Sequence, residues 1–161
     1  MFFVKDDQLE RHKLIRSFLT ADGSAIAVIL AAIDFEWTLR RAILLFGTNS
    51  TIDILGKALK KASGADKYKK AWRDEVSKNL HKNIDEVIPH WSRLVDPEKG
   101  AFALRGSILH GARVSVSPNF AKTRVEDFLM ASSLLEQLAK DQKKSLYKRI
   151  VRTKTRAFKE S

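Results

Sequence analysis

The chain has 161 residues, no cysteine, and 30 Lys+Arg against 19 Asp+Glu, which leaves a formal charge of +11. Without cysteine there is no disulfide framework, thiolate metal site, iron–sulfur cluster or cysteine nucleophile. The longest apolar run, Ala25 to Ile33, is nine residues, far below the roughly 20 that span a bilayer, and the opening MFFVKDD lacks a basic leader or cleavage site; a cytoplasmic protein with no membrane partner is expected.

Seven glycines and three prolines punctuate the chain, strand-like alternation is nearly absent, and the segments between read as helices. The first runs from about residue 6 to 20. A long one follows from Ser24, read as its cap, to Phe46, apolar all round in its first half as befits a central helix. Thr48-Asn49-Ser50 opens a shorter helix to about Lys61. From Ala65, Tyr68, Trp72, Val76, Leu80, Ile84, Val87, Trp91 and Leu94 recur at three- and four-residue steps, one stripe that Pro89 should kink. Asp96-Pro97-Glu98 reads as a helix start, with His110-Gly111 as its end. A loop covers 112–122, where Val114 and Val116 are candidates for a brief pairing. Thr123 to Glu126 matches a capping box opening the last helix, with Phe128, Ala131, Leu135 and Leu138 in line. The expected fold is all-α: an up-and-down helical bundle over 1–139, one or two extra short helices, and a basic C-terminal extension of the last helix, or tail, over 140–161.

The charge is clustered. Residues 140–161 hold nine cations against two acids, +7 of the total, and Lys57, Lys60, Lys61, Lys67, Lys69 and Lys70 surround Gly64 with Asp66 alone opposing them. Such clusters attract nucleic acid through counterion release. The candidate nucleic-acid contacts are Lys57, Lys60, Lys61, Lys143, Lys144, Lys148, Arg149 and Arg152; a merely solvated tail is the alternative.

Several chemistries lack their residues. No phosphate-binding loop or dinucleotide fingerprint occurs, so no cofactor is expected. The histidines show no metal-ligand spacing, so no metal is expected; Glu86 and His90, four apart, suggest an ion pair rather than a metal site. One constellation stands out. Arg105 and His110 lie five residues apart near a helix end, about 140° and 7.5 Å apart on a regular helix. Arg105 shares an apolar row with Phe102 and Leu109, where a cation needs a partner. His110 occupies the last turn, where the dipole favours a cation. On the central helix, Glu36 sits among Ile29, Ala32, Ile33, Leu39 and Ile43 and needs a partner in turn: Arg40 four residues on, or an arginine from another helix, for which Arg105 is the natural candidate. Asp34 points elsewhere and suggests a pair with Arg41. The same residues also fit a structural role, with Arg105 in a buried pair and His110 as a helix cap.

The segment Arg105-x4-His110-Gly111, with Phe35-Glu36 and Leu39-Arg40 on a preceding long helix, resembles the HEPN superfamily over roughly residues 24–46 and 96–139. That resemblance implies a small, usually dimeric helical bundle. It also implies a metal-independent endoribonuclease of toxin or antiviral-defence type, with an antitoxin or nucleotidyltransferase as partner. By position it assigns Arg105 and His110 as catalytic and Glu36 as their polar helper, with Arg40 and Ser107 in support. Many active members carry a polar residue after the arginine, where this chain has Gly106; a non-catalytic RNA- or protein-binding module, or a helical adaptor, is the alternative. The chemistry agrees with the nuclease reading. RNA supplies its own 2′-hydroxyl nucleophile, so cleavage needs a proton-moving imidazole and a guanidinium against the phosphate, and a homodimer doubles both.

Overall fold

In a computed structural model of the chain, residues 7–113 and 115–153 are described, and among them every regular element is helical. The fold is an all-α bundle. Helices α1 (Gln8–Ser17) and α2 (Ser24–Phe46) form a hairpin; α3 (Thr51–Asp53) runs on into a π-helical turn, Ile54–Ala58. Four short helices follow, α4 (Ala65–Glu75), α5 (Ser77–Leu80), α6 (Ile84–Val87) and α7 (Trp91–Val95), then α8 (Ala101–Leu109) and the long α9 (Pro118–Asp141). α2 lies at the centre, against α9 above all, with α8, α1 and α4 around it. Phe35 of α2 meets Phe128 of α9, and Lys144, just past α9, reaches Phe46 at the end of α2, so the two long helices run in the same direction. Phe35, Phe102, Phe128 and Trp91 form the aromatic centre, with Phe102 edge-on to both Phe35 and Phe128. Edge-on aromatic pairs contribute about 0.5–1.5 kcal/mol beyond their buried area.

The stripe from Tyr68 to Leu94 faces the core as its spacing predicts, with Leu80 and Val87 half-buried and the rest buried, but on four short helices rather than one kinked one. The breaks fall at Val76, at His81, whose backbone is left-handed, and at Ile88–His90 around Pro89. Two helix starts also differ. Asp96 caps a turn, its carboxylate accepting from the Glu98 and Lys99 N–H groups, and α8 begins only after Gly100. A side chain at Gly100 would press within 2.4 Å of the Asp96 carbonyl oxygen, so glycine is what lets turn and helix meet. α9 starts five residues before Thr123 because Ser117 accepts the Phe120 N–H and Pro118 fills the first helical position, a stronger start than the capping box inside it. Ser24 is the first helical residue rather than the cap, its hydroxyl donating back to the Thr20 carbonyl. Val116 is buried, and Val114 lies outside the described residues.

The largest departure is the tail. After Asp141 the chain turns through Lys143, whose φ is 54°, and residues 142–153 fold back across the end of α2 as a strap. Leu146 is buried in the core. Arg41 donates to the Leu146 carbonyl at 2.7 Å and to that of Lys148. Arg152 donates to the carbonyls of Leu44 and Asn49, and the Thr51 N–H donates to the Arg152 carbonyl. Arg152 thus satisfies carbonyls at the α2 C-terminus, where orphan acceptors collect, rather than standing free for a ligand. Residues 154–161 lie outside the described ones.

Beneath the strap is a buried polar cluster. The expected Asp34–Arg41 pair does not form: Asp34 accepts instead from Arg11 Nε at 2.9 Å and His12 Nε2 at 3.1 Å, both from α1. Arg11 also donates to the Tyr147 hydroxyl, which donates to Glu136 at 2.7 Å while its ring stacks on Trp37. Burial, together with the Glu136 carboxylate, pushes the Tyr147 phenol up to about 12, so it remains a donor. Glu86 and His90 also separate: Glu86 closes the capping box of α6, and His90 bonds the Asp127 carbonyl.

Candidate functional site

α8 packs against α2 and brings Arg105 to Glu36, Nη2 to Oε1 at 3.2 Å, with side chains 29% and 17% exposed. The other carboxylate oxygen accepts from the Tyr68 hydroxyl on α4 at 3.1 Å. Burial raises the Tyr68 phenol above its ordinary value, which keeps it protonated as the donor. Glu36 Oε1 is itself sealed from solvent and, among the described residues, receives no hydrogen bond of good geometry; the Arg105 guanidinium faces it as an ion pair. A guanidinium, a carboxylate and a phenol from three helices thus form one chain, with Arg105 at its outer end.

Arg40 is not the partner of Glu36. It donates to the Leu59 carbonyl at 3.1 Å and the Ala62 carbonyl at 3.4 Å, closing the turn after the π-helical segment. That ties the Lys57–Lys61 stretch to the same side of α2 as Glu36. Lys57, Lys61, Lys67 and Lys70 line a shallow cavity of about 200 Å³ there, with Asp74 the one acid.

His110 is the residue after α8. Its N–H bonds the Gly106 carbonyl, its side chain is exposed, and Gly111 takes the left-handed backbone, φ 71°, that ends helices of this kind. The imidazole and the Arg105 guanidinium leave α8 about 140° apart, so within one chain they do not converge on one point. Ser107 donates to the Leu104 carbonyl at 2.9 Å, so its hydroxyl hydrogen is engaged in its own helix. The space beside Gly106 is open: apart from its chain neighbours and its own helix backbone, no atom of the described residues lies within 4 Å of where a Cβ would stand.

Lys143, Lys144, Lys148 and Arg149 lie elsewhere. They sit on the strap against Leu45, which is nine residues beyond Glu36 and therefore about 180° around α2 and 13.5 Å along it. The two basic clusters face opposite sides of the central helix. Tyr68 is the site residue that sequence reasoning misses, because its spacing assigns it to the core stripe. The signal was present nonetheless: a buried tyrosine hydroxyl needs a partner, and Glu36 needed a donor.

Removing the phenol tests this chain of contacts. Tyr68→Phe is expected to lower stability by about 1 kcal/mol, the usual worth of a hydrogen bond to a partly buried acceptor, read from the urea midpoint at constant slope.

Among the described residues no group of three or more His, Asp or Glu side chains is placed to hold a metal ion, and no helix is long and apolar enough to cross a membrane. No family model, curated protein or solved structure matches the chain.

Proposed function

We propose that the protein is a HEPN-like homodimeric endoribonuclease that cleaves RNA at a site built from Arg105 and His110. The observation that carries this reading is the half-exposed Arg105 guanidinium, held from behind by Glu36 and Tyr68, one and a half helical turns from an exposed imidazole. In the reaction the 2′-hydroxyl attacks the adjacent phosphorus and the bond to O5′ breaks, giving a 2′,3′-cyclic phosphate and a 5′-hydroxyl. One imidazole takes the 2′ proton, a second protonates O5′, and the guanidinium meets the charge growing on the phosphate oxygens. Two chains supply the two imidazoles. Ile33, one turn before Glu36 on α2, and Leu109, one turn after Arg105 on α8, are each 52% exposed and give a second copy apolar surface close to Arg105. Lys57, Lys60 and Lys61, on the Glu36 side, would hold the backbone entering the site. A toxin or defence role, with an antitoxin or nucleotidyltransferase partner in the cytoplasm, belongs to the same proposal.

A second reading, a non-catalytic HEPN-like RNA- or protein-binding module, draws on Gly106 and on Ser107, which together offer a substrate no free side-chain donor beside Arg105. Purified protein in chelator, mixed with single-stranded RNA, separates the two. The nuclease reading expects fragments ending in 2′,3′-cyclic phosphate; salt-sensitive binding with intact RNA would overturn it in favour of the module.

A further inference from the structure

By folding back, the strap encloses a groove of about 560 Å³ against the C-terminal end of α2. Lys143, Lys144, Lys148 and Arg149 line it, among the described residues no carboxylate does, and Leu45, Ile150 and Val151 give it apolar surface. Leu45 and Ile150 are half-buried, whereas Val151 is 61% exposed. Beside it, at the start of α3, Ile52 is 81% exposed, next to the Thr51 N–H that bonds the Arg152 carbonyl. Among the described residues no hydrogen bond engages the backbone N–H or C=O of Arg149, Ile150 or Val151. The strap itself is anchored on both sides of that stretch, at Leu146 and Lys148 by Arg41 and at Arg152 by Thr51.

We propose that this groove docks an acidic segment of a partner protein, bound in extended form, with aliphatic side chains between its carboxylates. Three features select that occupant. Four solvent-facing cations, with no opposing acid among the described residues of the lining, call for several negative charges. The aliphatic surface calls for apolar side chains between those charges, because leaving Val151 and Ile52 in water forfeits the burial they offer. The open backbone at 149–151 offers hydrogen bonds to a peptide main chain, which gives affinity while alternate side chains give selectivity. A single RNA strand fits less well. Among the described residues no aromatic ring lines the groove for base stacking, and such platforms are what single-stranded nucleic acid uses beyond its phosphates. The groove also lies on the opposite side of α2 from Arg105, so it is independent of the proposed nuclease site.

The test uses the full chain and a fluorescein-labelled eight-residue peptide of alternating glutamate and valine, followed by anisotropy. Saturable binding is expected, at least tenfold weaker for an eight-residue all-glutamate peptide and at least tenfold weaker for the Lys148→Gln/Arg149→Gln variant. Both substituted side chains are exposed, so an unchanged melting temperature verifies the fold. Bound peptide should shift the amide resonances of residues 149–151 in nuclear magnetic resonance spectra. Equal affinity for the all-glutamate peptide would reduce the groove to diffuse charge and overturn the proposal. So would absence of binding, or displacement of the peptide by an RNA octamer that loses affinity in the same variant. RNA cleavage is not read in this experiment, so its outcome and that of the nuclease test are separable.

Discussion

Asp34→Ala is expected to destabilise the protein by about 3–5 kcal/mol, the scale seen when one partner of a buried ion pair is removed. Asp34 is buried at the middle of α2, and both its oxygens are bonded, one to Arg11 and one to His12. A carboxylate has no hydrogen to give, so His12 Nε2 is the donor. Deleting the carboxylate leaves the guanidinium and imidazole of α1 without the acceptor they share, and loosens the contact between α1 and α2. The same residue predicts an acid arm. Burial alone would raise the Asp34 carboxyl, but the hydrogen bonds from His12 and Arg11 outweigh it and hold the group below its ordinary 3.8. Since the folded value is the lower one, this stabilisation is complete above about pH 4 and is lost as pH falls through the folded value. Urea titrations between pH 3 and pH 7 should show wild-type stability falling at the acid end more steeply than that of the variant. Parallel curves, or a loss under 1 kcal/mol at pH 7, would mean that the cluster holds nothing together.

The second large effect concerns chemistry rather than stability. His110→Ala is expected to slow RNA cleavage by about 10²- to 10⁴-fold, the range attributable to a positioned acid–base group. Stability should stay within about 1 kcal/mol, because the side chain is exposed at a helix end. Arg105→Lys should also fail to cleave well: an ammonium can pair with Glu36 but lacks the planar fork that spans a carboxylate and a phosphate together. If two chains build the site, adding excess His110→Ala protein to the wild type should cut activity by more than dilution, because a mixed dimer holds one imidazole where the reaction uses two. Undiminished cleavage by the His110→Ala protein would remove the nuclease proposal.

The pairing of Arg105 with Glu36 was legible because both residues interrupt apolar faces, and an ionised group in such a place requires a counter-charge whatever the fold. Gly111 was legible for a local reason, since a helix end favours a left-handed residue. Asp34 was misread on the same logic. Its need for a partner is evident, but helix spacing suggests Arg41, whereas the side chains that reach it, His12 and Arg11, lie 22 and 23 residues back on α1. Arg41 reads as a partner for Asp34 and Arg152 as a nucleic-acid contact, yet both are engaged by backbone carbonyls. Carbonyl acceptors at helix ends leave no mark in the side-chain pattern.

By itself the sequence determined the helical class, the course of the central helix from Ser24 to Phe46, the buried stripe between Tyr68 and Leu94, and the two basic clusters. Periodicity, capping and charge act over a few residues and can be read locally. The tertiary structure decided that the stripe is carried on four short helices, that the tail is a strap rather than a continuation of α9, and that the basic clusters face opposite sides of α2. It also decided that Tyr68 belongs to the Arg105–Glu36 chain. Each of these depends on which distant polar groups meet once the apolar faces have closed, and a buried donor or acceptor takes the partner that the packing delivers.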